Sequence, residues 1–139
     1  MRKIESLMVQ AISDRRCFSK GNTKVVIHHG NMIKGYSDYG KEEARVYLHG
    51  NHIATYDLNS KELKVSNAGW RTVTTKSRLN AIINGLLDGT KNGVYQKDHC
   101  WYVTDHGRDY DFDSSDWYSF KSNALDVTHT VTNSELVAV

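Results

Sequence analysis

The residues of this chain with chemistry to offer are seven histidines, two cysteines and a run of aspartates. His49 and His52 flank Gly50-Asn51, a two-residue hairpin signal, so a turn there brings both imidazoles close together. That is the beginning of a metal site. Zn²⁺, however, needs three or four converging ligands, and His28, His29, His99, His106 and His129 supply no second pair with telling spacing. No metal is therefore expected. Asp109-x-Asp111-x-Asp113 has the start of a calcium loop, but position six is Ser114 where glycine is needed and position twelve is Phe120 where glutamate is needed. Cys100 stands beside His99, yet neighbours on a strand point to opposite faces, so adjacency makes no dyad. There is no G-x-S-x-G, no phosphate loop and no dinucleotide fingerprint. The expectation is a protein that is not an enzyme and carries no cofactor. A hydrolase using a metal on His49, His52 and an aspartate is the enzymatic alternative.

Binding chemistry is better represented. Asp105, Asp109, Asp111, Asp113 and Asp116 put five carboxylates within twelve residues, interleaved with Tyr110, Phe112 and Trp117. Acid with aromatics makes a protein-binding surface, because aromatic anchors supply much of the energy of interfaces. The plain alternative is an edge strand guarded by charge against aggregation. A second set is basic: Arg71, Lys76 and Arg78 surround the start of a predicted helix, where the dipole prefers acids. That conflict points to an anion, and hence to nucleic acid. Charge is divided along the chain. Residues 1–97 carry 16 Lys/Arg against 8 Asp/Glu, and residues 98–139 carry 2 against 8, for a net charge of only +2. Such asymmetry marks either binding faces or two surfaces that attract each other within the fold.

These residues must be positioned by one domain. A chain of 139 residues buries roughly 65–70% of its unfolded surface and needs no staples. No apolar run approaches the roughly 18 residues of a membrane span. The opening MRKIESLMVQ has charges spread through it and does not read as a secretory signal, so Cys17 and Cys100 are expected as free thiols in a reducing cytoplasm. Proline is absent, so turns must rest on Gly, Asn, Asp and Ser.

Ile4, Leu7, Met8, Ala11 and Ile12 form one helical stripe. Thr23 to His29 is β-branched and strand-like, and Gly30 to Gly40 reads as a loop or loose hairpin. Ala44 to His49 alternates, with Val46 and Leu48 on one face and Arg45, Tyr47 and His49 on the other. His52 to Asp57 returns, and Glu62 to Ser66 makes a third strand of an antiparallel meander. Thr74 or Thr75 caps a second helix striped by Leu79, Ile82, Ile83 and Leu86, and Gly89 sits where a left-handed terminator belongs. Gly93 to Gln96, Cys100 to Thr104 and Asp109 to Asp113 are short strands, with a turn at Lys97-Asp98-His99. Leu125 to Val139 is weakly strand-like, an added strand or a frayed tail. The fold class is α+β: an N-terminal helix, an antiparallel β-meander, a second helix packed on the sheet and further short C-terminal strands.

The helix, strands and helix in this order resemble the layout of double-stranded RNA-binding domains, with Lys76 and Arg78 where those domains grip phosphates. The dense lysine cluster of those domains is missing. More specific is V-Y-L-H-G-N-H-I-A (Val46 to Ala54) with A-G-W-R-T-V-T-T-K-S-R-L-N-A-I (Ala68 to Ile82). With MRKIESLMVQAI and G-V-Y-Q-K (Gly93 to Lys97), this block resembles a family of small accessory proteins of short-tailed bacteriophages that carry their own RNA polymerase. The resemblance covers residues 1–104 and implies a phage product made in the bacterial cytoplasm. It carries over no catalytic residue. Within the block, Arg78 and Asn80 are polar residues with no evident structural task.

The expected division of the single domain 1–139 is a shared scaffold, 1–104, and an acidic, aromatic segment, 105–139. The expected function is to bind and inhibit or modulate a bacterial host protein, such as a defence system or a nucleic-acid enzyme. The interface expected is Asp105, Asp109, Tyr110, Asp111, Asp113, Asp116 and Trp117. The alternative is nucleic-acid binding through Arg71, Lys76 and Arg78.

Overall fold

The computed structural model describes residues 1–121, so the reading of Leu125 to Val139 as a strand or tail lies outside the described residues. Helix α1 (Lys3–Ser13) carries the expected stripe, burying Met8, Ala11 and Ile12. It also buries Glu5, whose carboxylate accepts the Arg2 N–H at 3.0 Å and so satisfies one of the free donors of a helix start. Strands β1 (Phe18–Lys20), β2 (Thr23–His29), β3 (Glu42–Leu48), β4 (Asn51–Asp57) and β5 (Leu63–Val65) follow as an antiparallel meander. After helix α2 (Val73–Leu86) come β6 (Gly93–Lys97), β7 (Cys100–Asp105), β8 (Arg108–Asp111) and β9 (Tyr118–Ser119). Strand β9 returns to β5, so the first sheet has six strands in the order β1-β2-β3-β4-β5-β9. Strands β6, β7 and β8 form a separate three-stranded sheet.

The chain makes its tight turns without proline by using left-handed backbone. His49-Gly50, Asp98-His99 and His106-Gly107 each have two successive positive φ angles, as a twisted two-residue hairpin turn demands. The first of these corrects the expected Gly50-Asn51 turn by one residue. Asn51 is already paired with Leu48, and His49 takes the strained position. Five strands precede α2, which also departs from the helix–three strands–helix layout of double-stranded RNA-binding domains.

Register on β4 sets which side chains face water. A bulge lies between Val46/Tyr47 on β3 and the partners Ala54 and His52 on β4. It turns Ile53 and Ala54 both inward, each 1% exposed, and leaves His52 and Thr55 on the other face. The inner face of Val25, Val46, Leu48, Ile53, Leu63 and Val65 packs under the helices, which add Ile12, Leu79, Ile82 and Ile83. Each such fully buried side chain contributes about 1.5–3 kcal/mol.

Two expected helix signals are displaced. The cap of α2 is Thr72, whose Oγ1 accepts the Thr75 N–H at 3.1 Å, while Thr75 itself is buried. Gly89 does not have a positive φ. It is therefore not the expected left-handed terminator, and a Cβ there would meet only the tip of the exposed Asn84 side chain at close range. Asn80, with no evident task in the sequence, accepts the Val94 N–H at 2.8 Å and donates to the Val94 carbonyl at 2.9 Å. Its amide imitates a strand partner and ties the second sheet to α2.

Candidate functional site

Of the basic residues at the start of α2, Arg78 is turned inward while Arg71 stays exposed. Arg78 is 3% exposed. Its Nη1 donates to the Glu5 Oε2 at 2.7 Å, its Nε to the Thr23 Oγ1 at 2.9 Å and its Nη2 to the Asn22 Oδ1 at 3.2 Å. The guanidinium thus joins α1, α2 and the β1–β2 turn, and is not presented to a phosphate. The reason is the local chemistry: Glu5 is a buried carboxylate and requires a cation. Burial alone would raise the Glu5 pKa, but hydrogen bonds from Ser77, the Arg2 N–H and Arg78 outweigh it and hold the carboxyl below its ordinary value. Arg71 lies 2.8 Å from the Asp113 carboxylate, and Lys76 Nζ sits 5.9 Å above the Trp101 ring. One member of the expected basic site is therefore ion-paired to one member of the expected acidic site.

The acidic segment divides in the same way. Asp105 is 1% exposed and accepts hydrogen bonds from the Tyr118 hydroxyl (2.7 Å) and the Lys121 N–H (3.0 Å), with the His106 ring beside it. Tyr118 is pushed above its usual range, first by burial and then by this carboxylate. Asp113 also accepts the Trp101 N–H at 3.0 Å, and this bond with the Arg71 contact holds its pKa down. Asp105 is interior, which corrects its place in an exposed interface, whereas Asp113 stays partly exposed while it bonds Trp101 and Arg71. Asp109 accepts from the Thr104 hydroxyl at 2.7 Å, Asp111 from the Asp113 N–H at 3.0 Å, and Asp116 from the Ser114 hydroxyl at 3.3 Å. These three carboxylates stay at the surface, as does Trp117, which is 44% exposed. Tyr110 is half-buried against Tyr118 at 5.6 Å between ring centroids.

Trp117 does not stand alone. Its ring meets His52 edge-on at 4.7 Å, and His52 stacks on Tyr47 at 5.0 Å with 26° between the planes. This row lies on the outer face of the six-stranded sheet. The β4 bulge puts His52 opposite Tyr47, and the 112–118 segment brings Trp117 over it. That segment is anchored by Asn67, whose Nδ2 donates to the Phe112 and Ser114 carbonyls at 3.0 and 2.9 Å. The His52 Nε2 is 3.0 Å from the Ala54 carbonyl and 2.8 Å from the Thr55 hydroxyl. Burial lowers its pKa from the ordinary 6.5, and Arg45 adds to this. Beside the row a cleft of about 610 Å³ opens between Lys24, Tyr47 and the His49-Gly50 turn. A smaller cavity of about 230 Å³ lies under the same hairpin beside the exposed Trp70.

Four further large apolar side chains crowd one loop. Between β2 and β3, Met32 is 84% exposed, Ile33 62%, Tyr36 56% and Tyr39 46%. The loop is closed at its base, because the Gly30 N–H donates to the Lys41 carbonyl at 2.7 Å and the Gly40 N–H to the Asn31 carbonyl at 3.1 Å. A Cβ at Gly30 would lie 2.0 Å from the Asp38 carbonyl oxygen, so only glycine permits this closure. The sequence reading passed over this site as a loose hairpin. The available signal was four large apolar residues set among Gly, Asn, Ser and Asp, where no periodicity assigns them to a core.

Among the described residues no three of His, Cys, Asp and Glu converge as metal ligands. His49 lies in the turn while His52 is held by its ring contacts. Cys17 and Cys100 are free and exposed, and no described helix is long and apolar enough to cross a membrane.

Residues 1–124 match the family model for Kyanoviridae Gp96 protein. The match runs beyond residue 104, where the motif resemblance ends, and takes in the acidic segment up to Trp117. Kyanoviridae are myoviruses, which corrects the expected group of short-tailed, polymerase-carrying phages while keeping the phage origin. No curated protein and no solved structure matches the chain.

Proposed function

We propose, on the premise that this chain belongs to the Kyanoviridae Gp96 protein family, that it is a phage accessory protein that works by docking onto a bacterial host protein. The observation carrying this reading is the closed 30–41 loop with Met32, Ile33, Tyr36 and Tyr39 exposed together. Exposed apolar side chains grouped on one patch mark contact sites, and aromatics and methionine are enriched in the cores of interfaces. A loop pinned at its base presents them with little ordering cost on binding. Occlusion of a defence protein or nucleic-acid enzyme in the host cytoplasm is the action such a surface supports. The residual acidic surface of Asp109, Asp111 and Asp116 would steer a basic partner, since charge complementarity acts mainly on association rate.

The test is affinity capture from host lysate with the wild-type chain, Met32→Ser/Tyr36→Ser and Asp109→Lys/Asp111→Lys. We expect one host protein that the wild type retains and the loop variant loses. The acidic variant should retain it with slower association. Capture of the same proteins in the same amounts by wild type and loop variant would remove the loop as the interface.

A further inference from the structure

We propose that the outer face of the six-stranded sheet binds single-stranded nucleic acid. This surface is separate from the 30–41 loop. The loop joins the His29/Glu42 end of the β2–β3 ladder, and the ring row sits at its Thr23/Leu48 end. Five residues of strand, from the Lys24/Tyr47 pair to the His29/Glu42 pair, separate them by about 17 Å.

An antiparallel sheet covered by helices on one side leaves its other face to water, and nothing in folding requires rings to be lined up there. Here three elements bring them together, in the row Tyr47, His52, Trp117. Every nucleobase has a π face, so such a row accepts bases with little regard to sequence. Cations border the row. Lys24 is the cross-strand partner of Tyr47 on β2 and Lys64 is opposite Thr55 on β5, while Arg45 between them is already paired with Glu43. From β2 to β5 is three strand spacings, or about 14 Å, a span whose two lysines a phosphate backbone can reach. The nearby carboxylates make local bonds, Glu62 with the Ser119 hydroxyl at 2.6 Å among them, and all but Glu43 keep an unbalanced charge, so stacking must supply most of the affinity. Glu43 bonds Arg45 at 2.6 Å, Asp57 accepts the Asn59 and Ser60 N–H groups of its own turn, and Asp116 accepts from Ser114. The cleft of about 610 Å³ at the Lys24 end is within the range of pockets that hold a small organic ligand, and so has room for a nucleoside.

The experiment is fluorescence anisotropy with labelled oligo-deoxythymidine and, separately, oligo-uridine, titrated with the full chain at about 50 and about 200 mM salt. We expect dissociation constants on the order of 1–100 µM at the lower salt. Two phosphate contacts on a single strand should weaken binding roughly sevenfold at the higher salt. Trp117→Ala should weaken it about fivefold or more through the lost stack. Lys64→Glu should weaken it and flatten the salt dependence, whereas Lys3→Glu, an equal charge change on α1, should not. Lys64 is exposed, so its variant carries the test if Trp117→Ala fails to fold. A preference between the two oligonucleotides assigns the natural ligand to DNA or RNA. No anisotropy change at low salt would overturn the proposal, as would affinities within about twofold of wild type for both face variants. So would loss of a captured host protein in Trp117→Ala without any oligonucleotide binding, which would make the face a protein surface.

Discussion

Replacing Arg78 with methionine removes the cation from a buried pair and keeps most of the side-chain volume. Glu5 then remains 2% exposed, held by the Ser77 hydroxyl at 2.6 Å and the Arg2 N–H at 3.0 Å, with no countercharge. Thr23 Oγ1 and Asn22 Oδ1 lose their donors as well. Breaking one partner out of such a pair costs about 3–5 kcal/mol, a large part of the roughly 5–15 kcal/mol that holds a domain folded. At a urea dependence of about 2 kcal/mol/M, the unfolding midpoint should fall by about 1.5–2.5 M. Glu5→Gln/Arg78→Met leaves no buried charge, so it should cost clearly less than the sum of the two single variants. Urea titration followed by tryptophan fluorescence measures all four proteins in one cycle. A midpoint loss below about 0.5 M for Arg78→Met, or strict additivity in the cycle, would refute the placement of Arg78 as an interior countercharge. Loss of oligonucleotide affinity in a folded Arg78→Met protein would return the residue to the role first expected from its position.

Acid should act in two stages. His52 has a folded pKa below its ordinary 6.5, so the unfolded chain binds the proton more readily and stability declines as pH falls below about 6.5. Glu5 has a folded pKa below its ordinary 4.5, so its contribution is present above 4.5 and is lost as pH falls through the folded value. Melting temperatures against pH should show the first stage vanish in His52→Phe and the second shrink in Glu5→Gln, with the part due to Asp113 remaining. At Gly85 on α2, an added Cβ would lie 2.4 Å from the Val9 Cγ1 on α1. Gly85→Ala should therefore destabilise by about 1–3 kcal/mol despite alanine's better helix propensity, with Val9→Ala restoring much of it in denaturant melts.

The elements of this fold follow from local pattern. The stripe of α1, the alternation of Val46 and Leu48, the apolar face of α2 and the hairpin signals each depend on residues a few positions apart. Steric and solvation preferences at that range are written directly in the order of side chains. That is why an α+β meander with a helix on one face could be read before any coordinates. The free thiols follow equally from composition and spacing. Surface exposure could not be read in this way, because it depends on what arrives from elsewhere in the chain. Arg78 and Asp105 looked like ligand-binding charges and became interior ones, since Glu5, 73 residues away, meets the first and Tyr118, 13 residues away, meets the second. Arg71 and Asp113, taken as parts of opposite sites, neutralise each other across 42 residues. The Tyr47, His52 and Trp117 row needed both a one-residue bulge and the return of β9 to a sheet begun a hundred residues earlier. Periodicity carries no information on either, because a bulge is a compromise of register between two strands and a return is a choice among sheet edges. Sequence thus determined which segments are helix and strand, while tertiary packing decided which charges and rings remain in water to meet a partner.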